Sequence, residues 1–316
     1  MSPHDRPFRF GVEMKAPFPG RTWAESARDL EAMGYATLYV PDHFHSGFGP
    51  ITAMATALAA TESITVAPLV MAVDFRQPAV LAKEMATLDV LFPGRVEVGL
   101  GAGYNPLDYS RSGIPMESPG RRVRRLEECV RVLRLLFTGE EVSFHGEEFR
   151  MEEITGTPLP ATPGGPRILV AGGGPRVLRL AGELADVVGV NPSTAAGRDQ
   201  PGTFLDALAP AIDVKVDLLR TAAGERWDAL ELNAWVATAA LTADDAAAHD
   251  AVAGLARFAG VTTAEVLDSP IVLAGTADGV VERLRDRRRR WGYSSVCLTQ
   301  DQAMAFSPVV QALSGS

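Results

Sequence analysis

With 316 residues, 47% hydrophobic and 22% charged, the chain has a globular composition and enough length to bury a sizeable core. A net charge of −9 disfavours nucleic acid and anionic membrane surfaces as partners, and no apolar run reaches the roughly 18 residues of a membrane helix. MSPHDRPFRF at the N-terminus lacks the apolar stretch of a signal peptide, and Cys129 and Cys297 stand far apart in no CxxC pattern, so a reduced, cytoplasmic protein is expected.

In chain order, β-rich runs alternate with amphipathic stretches. FRFGVEM (8–14) reads as a strand and TWAESARDLEAMGY (22–35) as a helix, with Thr22 and Glu25 spaced as a capping box and Gly34 as its stop. TLYVP (37–41) is a strand, 51–61 a helix, TVAPLVMAV (65–73) a strand, and 77–92 a helix that carries Pro78 in its first turn. VEVGLGAG (96–103) is the fourth strand, and 120–137 has helical spacing at Leu126, Val130, Leu133 and Leu136. EVSFHGEEFRMEE (141–153) alternates about His145-Gly146 and reads as a hairpin, followed by a Pro/Gly-rich stretch. Residues 167–174, 175–185 and 186–192 then read strand, helix, strand. A helix near 203–223, a strand over 231–242, helices near 244–259 and 276–291, a strand over 295–299 and a tail helix complete the chain.

About eight strands, each followed by a helix and without a convincing linker, predict an α/β fold. It is a closed parallel (β/α)8 TIM barrel in a single domain, 1–316, with a short hairpin insertion at about 138–166 after the fourth helix. In such a barrel the chemistry belongs at the C-terminal ends of the strands.

Those ends carry Met14-Lys15, Asp42-His43-Phe44-His45, Leu69-Val70-Met71 with Asp74 and Arg76, Ala102-Gly103-Tyr104-Asn105, Gly172-Gly173-Gly174, Asn191 and Thr299-Gln300. Asp42-His43 is either a hydrogen-bonded corner or an acid–base group, since a histidine beside an acid exchanges protons near neutral pH. His43-x-His45 also suits a zinc hydrolase, but zinc needs further ligands. His4, His145 and His249 stand at no strand end, so no metal is expected, and His45 reads as a loop residue.

GLGAGYN (99–105) is a weak phosphate loop: it is GxGxG rather than GxGxxG, and no helix is predicted directly after it. Gly172 to Gly174 are better placed, because Pro175 opens a helix whose N-terminal N–H groups favour an anion such as phosphate. The run RDRRRR (285–290) reads as a solvated helix C-terminus, where cations complement the dipole.

Together, LEAMGYATLYVPDHF (30–44), 67–105, ILVAGGGPRVLRLAGELADVVGVNP (168–192) and 273–298 resemble the luciferase-like monooxygenase superfamily, and within it the coenzyme F420-dependent oxidoreductases. The resemblance implies the barrel, a homodimer and a small-molecule substrate. It also implies hydride transfer between F420 and that substrate, with His43 as proton donor or acceptor, Asp42 orienting or tuning it, and Tyr104 assisting. A non-prolyl cis peptide is implied at Leu69–Val70. The implied cofactor contacts are Asp42, Leu69, Val70, Met71, Ala102, Gly103, Asn105, Gly172, Gly173, Gly174 and Asn191. Tyr104 stands where the family's sugar-phosphate dehydrogenase carries an acid, so that particular activity is not expected. A reduced-FMN monooxygenase is the alternative within the fold, although that branch shows Glu-His-His more often than Asp-His-Phe. A non-catalytic flavin-binding barrel is the remote one.

Overall fold

The computed structural model describes residues 5–197 and 199–316; His4 and Arg198 lie outside the described residues. The strands are β1 (Arg9–Glu13), β2 (Thr37–Val40), β3 (Thr65–Pro68), β4 (Met71–Ala72), β5 (Glu97–Gly101), β6 (Glu141–His145), β7 (Arg150–Thr155), β8 (Arg167–Gly172), β9 (Val187–Val190), β10 (Glu231–Trp235), β11 (Thr238–Leu241), β12 (Val272–Gly275) and β13 (Tyr293–Thr299). Nine of them hydrogen-bond in the order β3-β2-β1-β13-β10-β9-β8-β5-β4. β3 and β4 are two pieces of one strand, broken where the Leu69–Val70 peptide is cis. The sheet is therefore the eight-stranded parallel circuit of a (β/α)8 barrel, as the alternating pattern predicts.

By internal packing the chain forms two compact units. The first holds Met1–Glu13, Asp29–Thr37 and Ala171–Ser316, and the second Met14–Arg28 and Leu38–Val170. In the first unit β13 pairs in parallel with β1 (Arg9↔Ser295 to Glu13↔Thr299) and with β10, which pairs with β9. In the second, β5 pairs with β4 (Met71↔Leu100) and with β8 (Glu97↔Arg167 to Leu100↔Val170). These strands are buried on both faces, as in parallel sheets, and carry Glu13, Glu97, Glu231, Asn233, Ser294 and Ser295 buried among their apolar residues.

Helices follow the strands: α1 (Trp23–Ala32), α2 (Pro50–Ala60), α3 (Pro78–Leu91), α4 (Pro106–Ser112), α5 (Pro119–Leu136), α6 (Pro175–Leu184), α7 (Pro201–Leu205), α8 (Ala209–Ala223), α9 (Asp245–Ala259), α10 (Thr263–Asp268), α11 (Ala277–Trp291) and α12 (Ala303–Leu313). The capping box before α1 is formed: Thr22 N–H donates to Glu25 Oε2 at 2.7 Å and Glu25 N–H to Thr22 Oγ1 at 3.2 Å. β6 and β7 make the antiparallel hairpin after α5. Among the described residues no helix is long and apolar enough to cross a membrane.

Four expectations need correction. A helix, α4, does begin directly after the glycine turn at 99–105, because Asn105 caps it and Pro106 opens it. The strand over 231–242 is two strands. Val236 N–H still donates to Cys297 O, but Ala237 N–H turns to Ile271 O, and β11 then pairs with β12, a strand absent from the sequence reading. The helix near 203–223 breaks at Asp206–Leu208 into α7 and α8. The arginine run is not wholly solvated. Arg287 is buried at 4% exposure and donates through Nη2 to the carbonyls of Leu267, Ser269 and Val272, so it closes the turn that feeds β12.

A candidate proton-transfer site after strands β2 and β5

The second unit gathers its polar chemistry at the C-terminal ends of β2 and β5. After Val40, Pro41 ends the strand, and the chain makes a tight turn marked by a bridge between His43 and Ser46. Across from it, Asn105 caps α4: its Oδ1 accepts from Leu107 N–H at 3.2 Å. That cap places Asp108 in the helix's first turn, buried at 3% exposure, with its carboxylate toward the β2 loop. Four donors converge on it: His43 Nδ1 (2.7 Å), His45 Nδ1 (3.1 Å), Phe44 N–H (3.0 Å) and Asn105 Nδ2 (3.0 Å). Burial alone would raise the Asp108 pKa, but the hydrogen bonds from His43, His45 and Phe44 outweigh it and hold the carboxyl below the usual carboxylate range.

An ionised carboxylate accepts only, so His43 carries a proton on Nδ1 and, when neutral, a lone pair on Nε2. Nε2 faces the hydroxyl of Tyr104 at 3.5 Å, the outer edge of hydrogen-bond reach, with the two rings edge to face. The side chain of His43 is 20% exposed and that of Asp108 4%: a buried acid behind an accessible imidazole. The buried acid thus holds the imidazole in one tautomer, with Nε2 toward Tyr104.

The other predicted residues have distinct positions. Asp42 does not bond His43. Its carboxylate is bidentate with Arg76 (2.5 and 2.9 Å) and accepts from Ala72 N–H at 3.3 Å, so it ties the β2 loop to β4. The acid on His43 is Asp108, 65 residues further along the chain. Leu69 N–H bonds Val40 O at 3.0 Å, and Met71 is fully buried beside β5. Gly103 is glycine for two reasons: its φ is +70°, and a Cβ there would overlap the Tyr109 hydroxyl. Arg122 Nη1 clamps the carbonyls of Ala102 and Gly103, and Tyr109 Oη donates to Asp74 Oδ2 at 2.8 Å. The turn that carries Tyr104 is thus braced from beneath.

In the first unit, Gly172 O accepts from Asn191 N–H at 3.1 Å. A Cβ on Gly173 would run into the backbone of 191–193, so close approach alone demands that glycine. Gly174 has open space around it and caps α6 with no side chain. Lys215 holds the segment after β9: its ammonium donates to Asn191 O (3.0 Å), Asp206 O (2.8 Å) and Asp206 Oδ2 (2.5 Å).

Neither cysteine offers a nucleophile. Both are buried, burial pushes the Cys129 thiol up to about 12, and burial raises Cys297 as well.

Asp108, Tyr109 and Arg122 escape a reading of strand ends because they sit on helices. A signal for Asp108 was present: Asn105-Pro106 is a cap-plus-first-turn pair, and an acid three residues after a cap is a common helix opening.

The model of the luciferase-like monooxygenase family matches residues 6–295. The chain belongs to that family. An F420-dependent glucose-6-phosphate dehydrogenase of Intrasporangium calvum is 35% identical over 193 residues, 58% of this chain and 56% of that enzyme, so the match spans little more than half of either protein. Among solved structures, an F420-dependent secondary alcohol dehydrogenase with an F420–acetone adduct superposes with a TM-score of 0.73 at 20% identity, over 97% of this chain and 99% of that one. The oxygenating constituent of 3,6-diketocamphane monooxygenase from Pseudomonas putida, in complex with FMN, gives 0.68 at 17%, over 98% of both chains. At these identities the superpositions establish the family's barrel fold in this chain.

Proposed function

We propose that the chain is a coenzyme F420-dependent oxidoreductase acting on a small alcohol or carbonyl compound, with His43 as its proton-transfer group. The observation that carries the reading is the line Asp108–His43–Tyr104: a buried acid on Nδ1 and an accessible Nε2 at the end of a barrel strand. The F420-dependent relative at 35% identity supports F420 over FMN.

The residues present suit such a cofactor. Leu69 and Val70, both part exposed, offer an apolar wall for its ring with the buried Met71 behind them, and Ala102, Gly103 and Asn105 lie along the second turn. In the first unit, the uncapped start of α6 at Gly174, with Gly172, Gly173 and Asn191 shaping the turn, suits a phosphate group. When bound, F420 supplies or accepts the hydride. In oxidation, His43 Nε2 takes the substrate hydroxyl proton while Asp108 stabilises the resulting imidazolium; in reduction Nε2 returns the proton. Tyr104, on the solvent side of the imidazole, orients the substrate oxygen.

Fluorescence titration of the purified protein with F420 and, separately, with FMN tests the assignment. Saturable F420 binding with weak FMN binding is expected, and preference for FMN would move the chain to the monooxygenase reading. His43→Ala is expected to bind F420 normally and turn nothing over; full activity in that variant would remove the histidine from the mechanism and reopen the flavin-storage reading.

A further inference from the structure

His43 and His45 each offer an imidazole nitrogen and Asp108 a carboxylate oxygen, all three within 4.8 Å of one another, and both histidines turn Nδ1 toward Asp108. The third ligand that no strand end supplies comes from α4. We propose that this cluster is an inhibitory binding site for a borderline transition-metal dication such as Zn2+, which captures the proton-transfer histidine. The inhibition rests on the role given to His43 above; the binding does not.

Two imidazole nitrogens and one carboxylate oxygen suit Zn2+, Co2+, Ni2+ or Cu2+, and not Mg2+ or Ca2+, which prefer all-oxygen shells. A tetrahedral ion with ligands at about 2.0–2.2 Å holds its donors about 3.3 Å apart. His43 Nδ1 lies 2.7 Å from Asp108 Oδ2 and His45 Nδ1 3.1 Å from Asp108 Oδ1, so to share one oxygen the rings must shift as well as open these contacts. The imidazoles must then draw together, and the His45 ring, 31% exposed on its loop, has room to swing.

The carboxylate is already aimed. Phe44 N–H donates to one of its oxygens and Asn105 Nδ2 to the other, the kind of outer-shell support that fixes a ligand's orientation. Solvent reaches the cluster past the two histidines, which leaves the fourth coordination position to water.

The consequence for His43 follows from its two nitrogens. With Nδ1–H on Asp108, Nε2 holds the free lone pair. With a metal on Nδ1, the ring's remaining proton moves to Nε2. The ring can then no longer accept a proton there, and a metal-bound neutral imidazole donates one far less readily than an imidazolium does. Metal occupancy and turnover exclude each other in both directions. The exposed pair His145–Glu152 (2.9 Å) belongs to no such three-donor cluster among the described residues, so it makes an internal control.

The test is a Co2+ titration of chelator-treated, cofactor-free protein. Visible absorption bands of a tetrahedral site should saturate at one ion per chain and collapse when Zn2+ is added. They should survive His145→Ala and vanish in His45→Ala and in Asp108→Asn, each checked for folding by circular dichroism. No saturable spectrum, or a spectrum retained in both variants, overturns the site. Zn2+ should also abolish turnover of the F420-loaded enzyme, with recovery on EDTA, and binding without inhibition overturns the inhibitory role. A protein that binds Co2+ as described yet has no affinity for F420 would keep the metal site and lose the functional reading.

Discussion

Replacing Asp108 by Asn keeps the shape of the side chain and removes its charge. The carboxylate accepts from His43, His45, Phe44 and Asn105. An amide has one oxygen with two lone pairs, so at least two of those four donors meet an NH2 group instead. Hydrogen bonds to a charged acceptor are worth about 1.5–3 kcal/mol each. The imidazoles are part exposed and recover some of the loss by turning to water, so about 2–4 kcal/mol of stability should go. In a chain of this size that is a fall of about 3–6 °C in Tm. The pH dependence is fixed in sign. The folded pKa of Asp108 is depressed, so its contribution is fully present above the unfolded value, about 3.9, and is lost as pH falls through the folded value. Thermal unfolding of wild type and Asp108→Asn at neutral pH and near pH 3 should therefore show a gap that narrows in acid. In long-range 1H–15N spectra the Nδ1–H tautomer of His43 should lose its dominance in the variant. An Asp108→Asn protein as stable as wild type at neutral pH, with the His43 tautomer unchanged, would refute the assignment of Asp108 as the acid behind His43.

Three further outcomes follow from the same geometry. Tyr104→Phe removes a hydroxyl 3.5 Å from Nε2 and nothing else, so turnover should fall by about tenfold or less while F420 affinity in the fluorescence titration stays put. Gly103→Ala must accommodate a Cβ at φ +70° against the Tyr109 hydroxyl, and urea unfolding should show a loss of about 1–3 kcal/mol. Arg287→Met leaves the carbonyls of Leu267, Ser269 and Val272 without their buried donor, which should cost about 3–5 kcal/mol in the same assay, whereas Arg289→Met on the exposed side of α11 should change stability by less than about 0.5 kcal/mol.

What could be read from the chain divides along a physical line. Apolar runs buried on both faces and helices with one wet side leave local patterns, so the eight barrel strands, the Thr22–Glu25 cap and the hairpin after α5 were all legible. β12 was not, because the four residues Val272–Gly275 are too short an apolar run to mark a strand until β11 turns toward them. Arg287 was not, because nothing in RDRRRR separates it from its neighbours; the turn at 267–272 does. In the candidate site His43 could be named from its position after β2. Its partner could not, since adjacency made Asp42 the obvious acid while Arg76 takes that carboxylate in the fold.

Asp108 also shows why this site belongs at the opening of a helix. Asn105 and Pro106 start α4 directly after a strand end, so the carboxylate three residues on sits in the first helical turn, where backbone N–H groups make the local field positive. A buried anion there meets a smaller desolvation penalty than it would inside a strand, and the cap's own amide supplies one of its hydrogen bonds. Arg122 and Tyr109 hold the turn before the helix, Asp42 and Arg76 hold the loop after β2, and both anchors leave the His43 ring unencumbered on Nε2. The residues that look dispensable for chemistry are thus the ones that keep one imidazole nitrogen occupied and the other available, which is the property a proton-transfer histidine needs.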